Sequence, residues 1–241
     1  ARDPGETRDH PGVEYPQSWL MEYRKANSEL ADHSHFRWAV PFLRGMDVMA
    51  DVLGVEPGAI RAVIGGHSKR ATGAYTAAAI DPERIAGVVF MGNESLHPTG
   101  PESRWWGVSP YYTQRFVRAP VLYVGATNEN GYAMFDINRI QDAMTAPWTF
   151  AMIPNHQHAS ESEQQFLAWR LWVAHVFDGR PLARIGQLEH EDTERGTRFR
   201  ARIEAPNGLI LAQLWYVYCD DPPLGRDLTW YPVILEHRGG D

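Results

Sequence analysis

The spacing of apolar positions changes character along this chain, and each change predicts an element. A helix is predicted over Val40 to Leu53. A short β-branched run, Ile60, Val63 and Ile64, then meets Gly65 and Gly66. After His67 and Ser68, a small-residue run from Ala71 to Ala79 opens a second helix. Apolar runs of strand type follow at Ile85–Met91, Ala119–Val124 and Trp148–Ile153, with a helix-like stretch from Asp136 to Met144 between the last two. A long amphipathic helix, Glu161 to Phe177, takes its apolar residues from Phe166, Leu167, Trp169, Leu171, Trp172 and Val176. Strands are therefore expected near 60–65, 86–91, 119–125 and 148–153, and helices near 40–53, 69–80 and 161–177. Alternation of this kind predicts an α/β fold: a mostly parallel sheet with helices on both faces.

Beyond Arg184 the period falls to two. Thr197–Ile203, Leu209–Tyr218 and Asp227–Leu235 alternate, and Asn207-Gly208 is a hairpin signal. The expected organisation is a loop-rich segment over 1–36 with a short helical piece from Trp19 to Ala31, an α/β core over 37–182, and a small antiparallel β extension over 183–241. Residues 96–118 form a long insertion rich in Trp, Tyr, Pro and Gly, of the kind that usually carries function.

Composition narrows the class. With 241 residues, 44% hydrophobic and 22% charged, the chain can bury one good core and is not of disordered type. The net charge of -7 argues against nucleic acid or an anionic membrane as partner. No apolar run is long enough to span a bilayer. The single cysteine, Cys219, excludes an internal disulfide. Nine tryptophans are many, and some are expected to line a cleft.

The strand–Gly65-Gly66-His67-Ser68–helix pattern is the context that gives a G-x-S motif meaning. The turn is too tight for bulky side chains near the serine, which then stands proud of the sheet edge as a nucleophile. The backbone N–H of Lys69 would face a developing oxyanion. The usual last glycine of the motif is absent, since Arg70 holds the second position after the serine.

A base and an acid should follow in the order Ser, Asp/Glu, His. His158 lies in the loop after the 148–153 strand and before the long helix, the standard place for the base. Three carboxylates compete as the acid. Glu129 follows the 119–125 strand, Glu94 follows the 86–91 strand, and Asp136 opens the next helix. They rank in that order, Asp136 reading better as a carboxylate on a helix dipole. His156 and His158 also spell an H-x-H pair, but no third ligand is evident nearby, so no metal is expected.

The chain also resembles a known family. Tyr23-Arg24-Lys25, Phe42-Leu43-Arg44-Gly45-Met46-Asp47 and Gly66-His67-Ser68-Lys69-Arg70 are similar to stretches of the PhoPQ-activated pathogenicity-related proteins, bacterial α/β-hydrolases with a G-A-S-K-R-G elbow. Their G-T-N-D turn resembles Ala126-Thr127-Asn128-Glu129, and their P-N-x-x-H turn matches Pro154-Asn155-His156-Gln157-His158. Their C-terminal pattern is similar to Leu214-Trp215-Tyr216-Val217 and Arg226-Asp227-Leu228. The chain departs from them at His67, Ala71 and Glu129. The resemblance implies a periplasmic or secreted protein. A weaker resemblance, through Gly66-His67-Ser68-Lys69, Asn93-Glu94-Ser95 and Trp105-Trp106, is to the glucuronoyl esterases, where the acid would be Glu94.

Only 67 residues precede Ser68, whereas the strands before such a nucleophile need on the order of 100. The expectation is a C-terminal part of a longer hydrolase, its first strands and second oxyanion donor lying in the missing part. The expected activity is that of a serine esterase or related acyl hydrolase on a small-molecule or carbohydrate ester. Ser68, His158 and Glu129 would be catalytic, Lys69 would bind the oxyanion, and Arg70, Trp105 and Trp106 would contact substrate, with no cofactor. The alternatives are uronate ester cleavage of the glucuronoyl-esterase kind, or a non-catalytic module that binds carbohydrate or protein.

Overall fold

A computed structural model describes residues 34–93, 110–129, 138, 142, 144–158, 162–218 and 228–237. The helical piece at 19–31, the carboxylates Glu94 and Asp136, Trp105, Trp106 and Cys219 lie outside them. The element order is α1 (Ser34–Leu53), β1 (Ala62–His67), α2 (Lys69–Ile80), β2 (Ile85–Met91), a short α3 (Pro110–Thr113), β3 (Val121–Ala126), β4 (Trp148–Ile153) and α4 (Glu163–Asp178). Four further strands follow: β5 (Arg184–Thr193), β6 (Gly196–Glu204), β7 (Gln213–Tyr216) and β8 (Tyr231–Ile234). The core is a parallel sheet in the order β1-β2-β3-β4, flanked by helices, and the C-terminal strands form small antiparallel pairs. The described residues fall into two compact units, one drawn from Ala1–Val121 and Phe135–Trp148, the other from Leu122–Met134 and Thr149–Asp241.

In the first unit, β2 is apolar without interruption and buried at every position, as a central strand of a covered parallel sheet should be. It pairs with β1 from Ala62↔Ile85 to His67↔Met91. Helix α2 is built almost wholly of small residues, and Ala71 to Ala78 are all buried. Small side chains let it lie close between α1 and the two strands. The large residue within that buried stretch, Tyr75, packs edge-on against Phe90 with ring centroids 5.5 Å apart. Burial pushes the Tyr75 phenol well above its ordinary value, since no ionised form could be hydrated there. Arg84 ties α1 to the turn before β2 through Asp47 (2.7 Å) and Asp81 (2.6 Å).

Helix α1 already covers Ser34, six residues before the predicted start at Val40, and carries Pro41 inside it. A proline there removes one helical hydrogen bond, which ordinarily marks a helix start. Tertiary contact overrides that signal. A β-carbon placed on Gly73 would come within 2.7 Å of the Trp38 β-carbon, so α2 presses directly on the first turns of α1 and holds them.

In the second unit, Leu122, Tyr123, Val124, Ile153 and Trp172 supply the apolar interior, and Tyr123 stacks on Phe150 at 5.3 Å. Helix α4 starts two residues later than expected because the Ser162 hydroxyl caps it, accepting from Gln165 N–H at 3.2 Å. It ends at Gly179, which takes the left-handed conformation with φ 66°. Of its apolar residues, Trp172 is buried, whereas Phe166, Leu167 and Leu171 remain more than half exposed. The C-terminal pairing also differs from expectation. Asn207-Gly208 makes a turn, with Gly208 at φ 87°, but it closes no hairpin. The hairpin closes earlier, at Glu194-Arg195, where Gly196 at φ 121° and a Thr193 hydroxyl bond to Gly196 O allow β5 to pair with β6. Strand β7 pairs instead with β8.

Candidate functional site

In the first unit, the candidate functional element is the turn between β1 and α2. Ser68 sits at φ 55°, ψ -132°, one of two non-glycine residues with positive φ among those described. Such a conformation costs on the order of 1–3 kcal/mol and persists only where its surroundings enforce it. Four features enforce it here. Ser68 N–H donates to Met91 O at 2.9 Å, which fixes the end of β1 against β2. Ser68 O accepts from Ala71 N–H at 2.9 Å, which starts the helix at once. Gly66 admits no side chain, because a β-carbon would lie 2.4 Å from the Arg70 backbone. Gly65 belongs to the same third feature, its β-carbon position lying 3.0 Å from that of Val89.

The fourth feature is Asn93, which the sequence reading passed over. Its amide donates to Ser68 O at 2.7 Å and to the Thr72 hydroxyl at 3.1 Å. Asn93 is 7% exposed and follows Gly92, which has φ 51° and turns the chain inward after β2. A Gly-Asn pair after a strand reads as an ordinary turn in sequence, so nothing but its position after β2 hinted at this role. Ser68 and Lys69 are half-buried and Arg70 is exposed. Lys69 is the first residue of α2, where the helix carries its partial positive charge.

In the second unit, the candidate functional element is the pair of turns after β3 and β4. His158 Nδ1 and Glu129 Oε1 are 2.8 Å apart. A carboxylate only accepts, so the ring proton is on Nδ1, and Nε2 is left as the basic nitrogen of the neutral ring. The Glu129 side chain is 2% exposed and that of His158 37%. A buried carboxylate hydrogen-bonded to a partly exposed imidazole fixes the orientation and tautomer of the ring. The neighbouring His156 has Nδ1 2.9 Å from Pro154 O, its own local partner. Among the described residues, no group of three or more His, Cys, Asp or Glu side chains is arranged to hold a metal ion. No described helix is long and apolar enough to cross a membrane.

Comparison with known proteins finds partial overlap only. No protein-family model matches the chain, and no curated protein matches it. Among solved structures, a dipeptidyl peptidase 4 from Porphyromonas gingivalis overlaps 58% of this chain and 22% of its own, with 9% identity and a TM-score of 0.44. Est1E from Butyrivibrio proteoclasticus, with ferulic acid bound, overlaps 58% and 66%, with 16% identity and a TM-score of 0.41. A dienelactone hydrolase from Anabaena variabilis overlaps 58% of each chain, with 20% identity and a TM-score of 0.41. The chain thus spans less than two thirds of the length of each of these three structures.

Proposed function

We propose that this protein is a serine hydrolase of the α/β-hydrolase type, an esterase or related acyl hydrolase, with Ser68 as nucleophile. The observation that carries the reading is the backbone of Ser68: a non-glycine residue held at positive φ between a strand and a helix. A serine that only capped a helix would need no such conformation. The oriented Glu129–His158 pair supports the reading independently. Each of the three residues follows the end of its own strand, in the chain order that triads of this type use.

In the proposed reaction, His158 Nε2 takes the hydroxyl proton of Ser68 as Oγ bonds to the carbonyl carbon of the ester. The oxyanion that forms is met by the N–H of Lys69 at the helix start. Collapse breaks the bond to the alcohol, which leaves with the proton from His158. Water then donates a proton to His158, attacks the acyl-enzyme and releases the acid, restoring Ser68. Glu129 stabilises the imidazolium at both stages and is not itself protonated. Arg70, Trp105 and Trp106 are proposed to contact the substrate, a small-molecule or carbohydrate ester.

Turnover of a small activated ester, compared between wild type and Ser68→Ala, tests the reading. A loss of about three orders of magnitude is expected, equivalent to about 4 kcal/mol of transition-state stabilisation. Equal rates would refute it.

A further inference from the structure

The turns that carry Glu129 and His158 are tied to each other and to a distant piece of chain. Between the turns, Asn155 N–H donates to the Thr127 hydroxyl at 2.8 Å, Thr127 N–H to Ile153 O at 3.1 Å, and Asn128 N–H to His156 O at 3.0 Å. The Thr127 hydroxyl in turn donates to the Asn128 amide oxygen at 2.7 Å. Both turns then reach the segment just before β8. The Asn128 amide donates to Leu228 O, across 100 residues of sequence. The Asn155 side chain binds Trp230 twice, donating to its carbonyl at 3.0 Å and accepting from its N–H at 2.7 Å.

A side-chain amide that satisfies both the N–H and the C=O of one residue fixes distance and orientation together, as a strand neighbour would. Asn155 also holds φ 58°, in the left-handed region that asparagine tolerates better than most residues. Closing contacts across 75 and 100 residues costs chain entropy that a solvent-exposed turn could avoid, since water would satisfy the same groups.

We propose that residues 228–230 form a clamp that sets the Glu129–His158 pair. Asn155 and Asn128 are its positioning residues, acting on the turns from which the pair projects. The functional part rests on reading His158 as the catalytic base. The structural part does not.

The test uses the full chain. Asn155→Gly keeps the left-handed backbone and removes both bonds to Trp230. Asn155→Asp keeps the acceptor for Trp230 N–H and loses the donor. The first readout is the proton resonance of His158 Nδ1–H, which hydrogen bonding to Glu129 shifts downfield. It should weaken or broaden in Asn155→Gly and lie between the two in Asn155→Asp. The second readout is ester turnover. The kcat should fall about 10- to 100-fold in Asn155→Gly with little change in KM, because misplacement of the base is a transition-state loss. Asn155→Asp should recover part of that loss. An unchanged Nδ1–H resonance in either folded variant overturns the clamp, whatever the rates. A changed resonance combined with full activity in Ser68→Ala upholds the clamp and overturns the catalytic reading instead. Should Asn155→Gly fail to fold, Asn155→Asp carries both readouts.

Discussion

His158 Nδ1 lies 2.8 Å from Glu129 Oε1, with the carboxylate side chain 2% exposed and the imidazole 37% exposed. The pair therefore joins a buried carboxylate to a partly exposed imidazole. A surface ion pair formed by chance would leave both groups wet and contribute little. Removing the charge while keeping the shape separates the two readings. Glu129→Gln should preserve folding and lower kcat strongly, by about 10-fold to 10,000-fold, because the imidazolium loses its counter-charge and the ring its tautomer. Glu94→Gln should do much less. Steady-state kinetics on the two variants decides which glutamate serves, and the reverse ordering would assign the role to Glu94.

His158→Ala should cost as much as Ser68→Ala, and the double variant little more than either. Residues that act as one unit show this non-additivity. Multiplicative losses in the double variant would indicate two independent contributions and would count against a shared mechanism.

Gly66→Ala tests the turn itself. The added carbon would lie 2.4 Å from the carbonyl carbon and oxygen of Arg70, both backbone atoms that cannot swing aside. The expected cost is about 3 kcal/mol, the upper end of ordinary overpacking, read as a lowered midpoint in urea unfolding. Ester turnover should fall with it. A variant as stable as wild type would mean that the turn can relax, and that its shape does not depend on the glycine.

Much of this was legible in the sequence, and the losses have physical causes. Helix α2 and strand β2 fall where composition puts them, because an alanine-rich helix and an all-apolar strand have few other ways to bury themselves. The turn at Ser68 was legible too, since two glycines between a strand and a helix leave few conformations open. The start of α1 was not: Pro41 signals a helix start, and only contact of Trp38 with Gly73 explains the earlier turns. The hairpin partner was misread because Asn207-Gly208 is locally a better hairpin turn than Glu194-Arg195, while cross-strand pairs such as Leu188↔Ala201 and His190↔Phe199 decide the pairing. Asn93 and Asn155 act through contacts 25 and 75 residues away, which no local pattern reports.

Asp47 gives the fold a dependence on pH that is independent of catalysis. The Arg84 hydrogen bond holds its carboxyl below the ordinary value of 3.8. A depressed carboxylate contributes stability that is fully present above the unfolded value and lost as pH falls through the folded one. Asp47→Asn should therefore be less stable than wild type at neutral pH, and the two should converge below pH 3.8. Thermal melts across that range check it. A constant difference down to the acid limit would mean that the effect of the substitution is not electrostatic.

Covalent trapping reads out whether Ser68 is an activated nucleophile. The full chain is treated with a fluorophosphonate, and the site of the adduct is mapped by mass spectrometry of its peptides. Phosphonylation forms a bond between Ser68 Oγ and phosphorus and expels fluoride. The predicted result is one adduct on Ser68, absent in Ser68→Ala and slowed at least a hundredfold in His158→Ala. No adduct on the folded protein, or an adduct that forms as fast without His158, would contradict the account.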